Sequence, residues 1–294
     1  MSTPDRDMPQ EQARLYSLVL QARYIPCRMR RRKEGWSVQV RRMDRERALE
    51  ELGLWLAENA RQRTPAPPPP PLPGTDQILP PALYGLALVA AYAFGERAHP
   101  ALHVYPRLLL ERGSADAAAI WNGEWWRAAT ALTLHGDGPH VLGNAVVSTL
   151  FVSLVCVRLG CGPALLLTVL GGVLGNLCNA LVMGPPHDSI GFSTAVFAAA
   201  GLLATQGLAD RSRWWRPLVP LGAGFGLLAM LGAGGENTDL GAHLFGFGAG
   251  LLLGAAAWEL TRRYGRPGKT MSWMAGVASA ALPLGAWVMA WGFG

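Results

Sequence analysis

The chain has 294 residues, half of them hydrophobic and only 16% charged, with a formal net charge of +6. Soluble domains carry about 25% charged residues, so this composition argues against a soluble protein. The basic residues are concentrated before Pro65 and in short clusters between apolar runs, and acidic residues dilute the basic stretch 28–33. That distribution indicates a protein bound to the lipid bilayer rather than to nucleic acid. The four cysteines have no metal or redox spacing, and we expect no cofactor.

The first 63 residues are predicted to form a small cytosolic α+β module. Residues 13–22 have a helical pattern and residues 24–32 an extended one, followed by a turn at Glu34-Gly35. Residues 36–40 alternate as a strand, and residues 45–59 form an amphipathic helix.

A proline-rich linker over residues 64–77 is predicted to act as a stiff spacer. Seven apolar segments follow it, with lengths that suit the roughly 20 residues needed to cross a bilayer. We place them near residues 78–96, 140–159, 162–184, 191–208, 217–234, 240–260 and 271–292.

The loops between these segments predict the orientation of the chain. The loops after the second, fourth and sixth segments contain Arg or Lys, and those after the third and fifth contain none. Because basic loops stay in the cytoplasm, the sequence predicts a multi-pass plasma (inner) membrane protein with its N-terminus cytoplasmic and its C-terminus outside.

Four polar residues lie at the outer ends of three parallel segments. His140 and Asn144 begin the second segment, Ser193 begins the fourth and His243 begins the sixth. Each of them alone has an ordinary structural explanation: a serine bonded to its own helix, an interfacial histidine, or an asparagine between helices. Their common depth instead predicts a shared site, because polar residues in a membrane are costly and need partners.

Glycines on the sixth segment provide room for such a site. His243 shares a helical stripe with Gly246 and Gly250, and Gly254 follows at the same spacing. Small residues allow a neighbouring helix to approach closely, so we expect the fourth segment to bring Ser193 within reach of His243. Free backbone N–H groups at the start of the fourth helix would suit a developing oxyanion.

Three motifs in this order resemble the rhomboid family of intramembrane serine proteases. Residues 191–194 (Gly-Phe-Ser-Thr) resemble its G-x-S-x motif, and residues 242–250 resemble A-H-x-x-G-x-x-x-G. Residues 126–144 are similar to its W-R…H-x-x-x-x-H-x-x-x-N pattern. The resemblance covers residues 78–260.

The resemblance implies a role for each matching residue. Ser193 would be the nucleophile and His243 the general base, with no acidic third member. The side chains of His140 and Asn144, with the Ser193 backbone N–H, would form the oxyanion hole. His135 would support the first loop.

Further residues complete the predicted site. Gly191, Phe197, Gly246 and Gly250 are its supporting residues. The chain also departs from the family pattern, since Thr194 stands where glycine is commonest and Phe197 where many members have tyrosine. Cys156 stands where glutamate is frequent. None of these changes removes a catalytic group.

The implied fold is an all-α polytopic membrane protein, a rhomboid-like six-helix bundle plus one C-terminal transmembrane helix, behind the small α+β domain. Its parts are the module 1–63, the linker 64–77, the catalytic core 78–260, and the loop and seventh helix 261–294.

The predicted function is cleavage of transmembrane-helix substrates near the outer membrane face by a Ser-His dyad. One alternative is a catalytically silent rhomboid-like protein that binds membrane clients, although such relatives usually lack Ser or His. A transporter is the other alternative, but it predicts interrupted segments in two repeated halves, and no such repeat is found in the sequence.

Overall fold

The structure is a computed structural model that describes residues 8–32, 35–59, 72–208, 222 and 239–293. It divides into two compact units, residues 1–70 and 71–294. Outside the described residues lie the predicted turn residue Glu34, most of the proline-rich tract, and the fifth apolar segment apart from Gly222.

The first unit is a two-stranded antiparallel hairpin with two helices. Its elements are α1 (Gln10–Ala22), β1 (Cys27–Arg31), β2 (Trp36–Val40), a 3₁₀ turn (Arg42–Asp44) and α2 (Arg45–Asn59). Cys27 pairs with Val40 across the hairpin, and a small apolar core includes Leu20, Ile25 and Val38. The extended stretch begins later than predicted, because Tyr24 has a φ of 55° and turns the chain before β1.

The described residues of the second unit form helices joined by loops. Its helices are α3 (Thr75–Gly95), α4 (Pro106–Gly113), α5 (Ala117–Trp121), α6 (Arg127–Thr130), α7 (Gly138–Leu159), α8 (Cys161–Met183), α9 (Ser193–Leu208), α10 (Leu240–Tyr264) and α11 (Lys269–Phe293), with 3₁₀ turns at Pro100–Leu102 and Ala131–Thr133. Six of the seven predicted apolar segments correspond to helices, although α3 begins inside the predicted linker, at Thr75.

Five of these helices are long and apolar enough to cross a membrane: α3, α7, α8, α10 and α11. The chain is therefore a multi-pass membrane protein that is mostly helical. The sixth apolar helix, α9, is shorter, and its residues 195–200 are completely buried. It is the central helix of the described bundle and packs against α7, α8 and α10.

Glycines on α8 let that helix lie close to α9. A Cβ atom added to Gly171 or Gly172 would come 2.6 Å and 2.7 Å from the Cβ atoms of Ala198 and Ala195. On Gly175 it would come 2.7 Å from the Thr194 methyl group. Such distances are too short for real side chains, so only glycine permits this spacing of the two helices.

Gly246 and Gly250 of α10, the glycine stripe that follows His243, also lie against α9. A Cβ atom on Gly246 would lie 2.3 Å from the Thr194 carbonyl oxygen, and one on Gly250 only 2.0 Å from that of Ala198. The fourth and sixth apolar segments thus pack in the way their sequences predict. Close approach between membrane helices replaces the hydrophobic driving force that lipid does not supply.

Substitution of Gly250 by valine is expected to destabilise the bundle, because the new side chain would meet backbone that has no room to move. Overpacking usually costs about 1–3 kcal/mol, and we expect the upper end here. Gly248→Val is the matched control, since nothing lies within 4 Å of a Cβ atom at that position.

The measurement is the midpoint of thermal unfolding in detergent at equal protein concentration. Gly254→Val should be milder than Gly250→Val, because its nearest neighbour is the Thr205 hydroxyl group, at 2.7 Å, rather than backbone. Equal stability of the variants at positions 248 and 250 would contradict the packing.

Candidate active site

Three helix starts meet at one end of the bundle. Ser193 is the first residue of α9, and His140 and His243 lie in the first turns of α7 and α10. The Oγ atom of Ser193 lies 2.9 Å from Nε2 of His243, within hydrogen-bond distance. Both side chains are buried, with exposed fractions of 8% and 3%. A serine and a base are thereby joined across two helices that are distant in sequence.

The ring of Phe197 fixes the plane of His243. The two rings are stacked, with centroids 4.3 Å apart and an interplanar angle of 21°. Phe197 lies one turn after Ser193 on α9 and is fully buried. Stacking restricts rotation of the imidazole, so its Nε2 atom stays directed at the serine.

The segment before Ser193 is held by the first loop. The backbone N–H of Gly191 donates to the carbonyl oxygen of Ala131 at 2.9 Å, and that of Phe192 donates to Nε2 of His135 at 3.3 Å. Burial, with a smaller effect of the neighbouring His140, lowers the pKa of His135 to about 3. His135 is therefore neutral near pH 7 and accepts this hydrogen bond with its unprotonated Nε2.

Two separate constraints require glycine at position 191. Its φ is 122°, in the region that side chains rarely adopt. A Cβ atom there would also lie 2.8 Å from His140 Nε2 and 3.6 Å from Ser193 Oγ. The His140 imidazole and the Ser193 hydroxyl group thus both border the space that the missing side chain leaves.

Asn144 lies one turn after His140 on α7 and is completely buried. Neither atom of its amide group has a hydrogen-bond partner among the described residues. A buried polar group without a partner is costly, and it is found here on a helix that packs against α9. The amide N–H groups are thus available to a further acceptor.

The Thr194 side chain packs between α8 and α10. Its methyl group lies against Gly175 of α8 and Gly246 of α10, in the space that these two glycines provide. Cys156 is buried near the opposite end of α7.

The helices that carry Asn144, Ser193 and His243 match a known domain family. Residues 122–260 match the rhomboid domain, a stretch that includes Asn144, Ser193 and His243. The chain thus contains a rhomboid domain.

The first loop is stabilised by the buried side chain of Arg127. Its guanidinium group donates to the Glu124 carboxylate and to the backbone carbonyl oxygen atoms of Glu111 and Ser114. Arg127 thus connects the start of α6 to the end of α4.

Three curated relatives share part of the chain. Rhomboid protease GluP of Bacillus subtilis is 26% identical over 155 residues, which are 50% of this chain and 29% of that protein. Putative rhomboid protease YdcA of the same organism is 29% identical over 138 residues, 46% of this chain and 68% of that protein. RHOMBOID-like protein 9, chloroplastic, of Arabidopsis thaliana is 35% identical over 82 residues, 28% of this chain and 18% of that protein. Two of the three are named as proteases, which supports intramembrane proteolysis at the level of the family.

A second polar cluster in the rhomboid domain lies beside the Ser-His pair, and we call Asn179, His187 and Asp239 the polar clasp. Oδ2 of Asp239 lies 2.8 Å from His187 Nε2 and accepts from the Asn179 amide at 2.6 Å. Its Oδ1 accepts from the Ala242 N–H at 2.9 Å and so caps α10, next to His243. The clasp joins the end of α8, the loop before Ser193 and the start of α10.

The charge of Asp239 is stabilised by these contacts. Burial by itself opposes ionisation, but the Ala242 N–H and the side chains of His187 and Ser189 donate to the carboxylate, and the net effect lowers the pKa of Asp239. The carboxylate therefore stays ionised at neutral pH and provides a fixed negative charge near His243.

Sequence reasoning did not identify the clasp. Asp239 has the one recognisable signal, an aspartate three residues before a helical N–H, which is a typical N-cap. Asn179 and His187 carry no such signal. In the described parts of the chain, no three His, Cys, Asp or Glu side chains are placed to hold a metal ion.

Asp239→Asn is expected to remove a pH-dependent part of the stability. A carboxyl group with a lowered pKa stabilises the fold above its unfolded pKa of about 3.9, and this contribution is lost as the pH falls through the folded value. The difference in thermal midpoint between wild type and Asp239→Asn should thus be largest near pH 6 and shrink below about pH 4.

Asp239→Ala provides the comparison, because it also removes the N-cap acceptor. It should cost about 1 kcal/mol more than Asp239→Asn. A difference between wild type and Asp239→Asn that is constant from pH 3 to pH 7 would mean that the carboxylate charge contributes nothing.

Proposed function

We propose that the chain is an intramembrane serine endopeptidase in which Ser193 is the nucleophile and His243 the general base. The observation that carries the proposal is the buried hydrogen-bond contact of 2.9 Å between Ser193 Oγ and His243 Nε2. A serine hydroxyl is a weak nucleophile until an adjacent base accepts its proton. The match to the rhomboid domain supports the same assignment.

The reaction follows from this geometry. As Ser193 Oγ forms a bond to the carbonyl carbon of the substrate, its proton moves to His243 Nε2. His243 then donates that proton to the leaving amine while the C–N bond breaks, which leaves an acyl group on Ser193. Water, deprotonated by His243, attacks the acyl carbon and releases the carboxylic acid, and the serine recovers its proton.

The charge on the carbonyl oxygen is stabilised by donors around Ser193. We assign this role to the side chains of His140 and Asn144 and to the backbone N–H of Ser193. His140 Nε2 lies beside Gly191, and the Asn144 amide has no partner among the described residues. The positive end of the α9 dipole acts in the same direction. Buried donors are effective because little water competes with them.

The proposed substrates are proteins with a transmembrane helix, cleaved near the outer face of the plasma (inner) membrane. This assignment depends on the basic loops, which predict a cytoplasmic N-terminus and a site toward the outside. The matched region spans 29% of GluP and 68% of YdcA, so cleavage by the whole chain is itself part of the proposal. The chemistry requires no cofactor.

Ser193→Ala and His243→Ala should each abolish cleavage of a transmembrane substrate while the protein still folds. Since the two residues act as a unit, the double variant should be no worse than either single one. The measurement is turnover in detergent, together with covalent labelling of the serine by a fluorophosphonate probe.

Ser148→Ala is the matched control, since Ser148 is also a buried helical serine but donates to the Ala145 carbonyl of its own helix. It should be labelled and active like the wild type. Unchanged labelling of Ser193→Ala would refute the nucleophile, and a wild type that is folded but never labelled would favour the silent client-binding alternative.

Asn144→Ala and His140→Ala should lower kcat by about 10²–10³ each, the usual effect of losing one oxyanion donor. KM should change much less, because the donors act mainly on the charge that develops in the transition state. If both variants keep wild-type kcat, the donors must be other groups.

A further inference from the structure

A large cavity lies at the opposite end of the bundle from Ser193. It has a volume of about 730 Å³ and lies between the end of α10, the start of α11 and the first turns of α8. Its wall is almost entirely apolar and includes Pro163, Leu167, Leu253, Ala257 and Met271. The volume falls in the range of about 300–1,000 Å³ that is typical of ligand sites.

The rim of this cavity is basic. Arg266 is a lining residue, and its guanidinium group donates to the Val157 carbonyl oxygen at 2.9 Å, which holds it near the end of α7. Lys269 is exposed and directly follows the lining residue Gly268. Neither cation has a carboxylate partner in the part of the chain that the structure describes.

The nearby acid does not neutralise these two cations. Glu259 is the one acidic residue between positions 259 and 269, and its carboxylate pairs with Arg262 and Arg263 on the last turns of α10. Arg266 and Lys269 therefore leave a positive charge at the mouth of an apolar cavity between membrane-spanning helices.

We propose that this cavity binds an anionic phospholipid, with an acyl chain along the apolar wall and the phosphate group at Arg266 and Lys269. The apolar wall accounts for binding of the acyl chain. The two cations, which have no carboxylate partner among the described residues, select a negatively charged headgroup. Basic pockets between transmembrane helices are a recurrent form of lipid recognition. The ligand would join α11 to α8 and α10, and it would do so independently of the Ser-His pair.

The first test compares ligands on the full chain, purified in neutral detergent and stripped of lipid. Native mass spectrometry counts the bound molecules during titration with dioleoylphosphatidylglycerol, dioleoylphosphatidylcholine or glycerol 3-phosphate. We expect one saturable phosphatidylglycerol site, much weaker phosphatidylcholine binding and no binding of glycerol 3-phosphate, which lacks the acyl chains.

The second test removes the charges. At about 1 kcal/mol for each basic residue near a lipid surface, the Arg266→Gln, Lys269→Gln double variant should bind phosphatidylglycerol about 30-fold more weakly. Arg263→Gln is the matched control, because it removes one charge from the same end of α10 at a residue whose guanidinium group is paired with Glu259. Its Kd should stay within about twofold of wild type.

The third test fills the cavity. Ala256 and Ala255 are adjacent exposed residues of α10, and only Ala256 lines the cavity. Ala256→Phe should abolish the saturable site and Ala255→Phe should keep it. This pair decides the question if the charge variants do not fold, as checked by size exclusion and circular dichroism.

Several outcomes would overturn the proposal. Equal affinity for the two phospholipids would show that charge does not select the ligand, and equal binding of glycerol 3-phosphate would identify a site for soluble phosphate. Wild-type binding by the double variant or by Ala256→Phe would locate the lipid elsewhere. All of these readouts are independent of proteolysis, so a failure here leaves the proposed function untouched.

Discussion

The distance between α9 and α10 is the constraint on which the rest of this molecule depends. At Gly246 and Gly250, α10 lies so close to the α9 backbone that a single added Cβ atom would approach carbonyl oxygen atoms to 2.3 Å and 2.0 Å. That spacing lets a serine and a histidine, each near the start of its helix, reach a separation of 2.9 Å. The same glycines thus determine both the spacing of the two helices and the contact between Ser193 and His243. Direct contact matters because little water is present in a membrane to bridge two polar side chains.

The other elements around the site maintain this approach. Glycines on α8 let that helix also pack closely against α9. The first loop holds Gly191 and Phe192, and the polar clasp connects the loop before Ser193 to the first turn of α10. These contacts leave Ser193 and His243 little freedom, and preorganisation of that kind is what proximity requires of a catalytic pair. Asn144 is the exception, a buried amide without a partner among the described residues. Polar groups kept unsatisfied are characteristic of sites where another molecule completes the hydrogen bonds.

The two ends of the bundle differ in chemistry. At the Ser-His end the side chains are buried, and the supporting residue His135 is neutral. The other end has an apolar cavity with basic residues at its rim. Such an asymmetry suits a protein in a bilayer whose cytoplasmic leaflet carries the negative charge.

The sequence by itself determined the local features. Apolar runs of spanning length predict six helices that the structure has, and the three motifs predict a rhomboid domain, which is confirmed. The glycine spacing after His243 also predicts which face of α10 is packed. These features depend on composition and on helical periodicity, and both can be read from neighbouring residues in the chain.

Only the tertiary structure decided which distant residues touch. It brings Asn179, His187 and Asp239 together from three elements, buries Arg127 beneath the carbonyl groups of the first loop, and opens a cavity between α8, α10 and α11. Contacts across 50 or more residues, such as Asp239 with His187, depend on helix spacing and rotation. Those quantities result from packing of the whole bundle, and no local pattern encodes them.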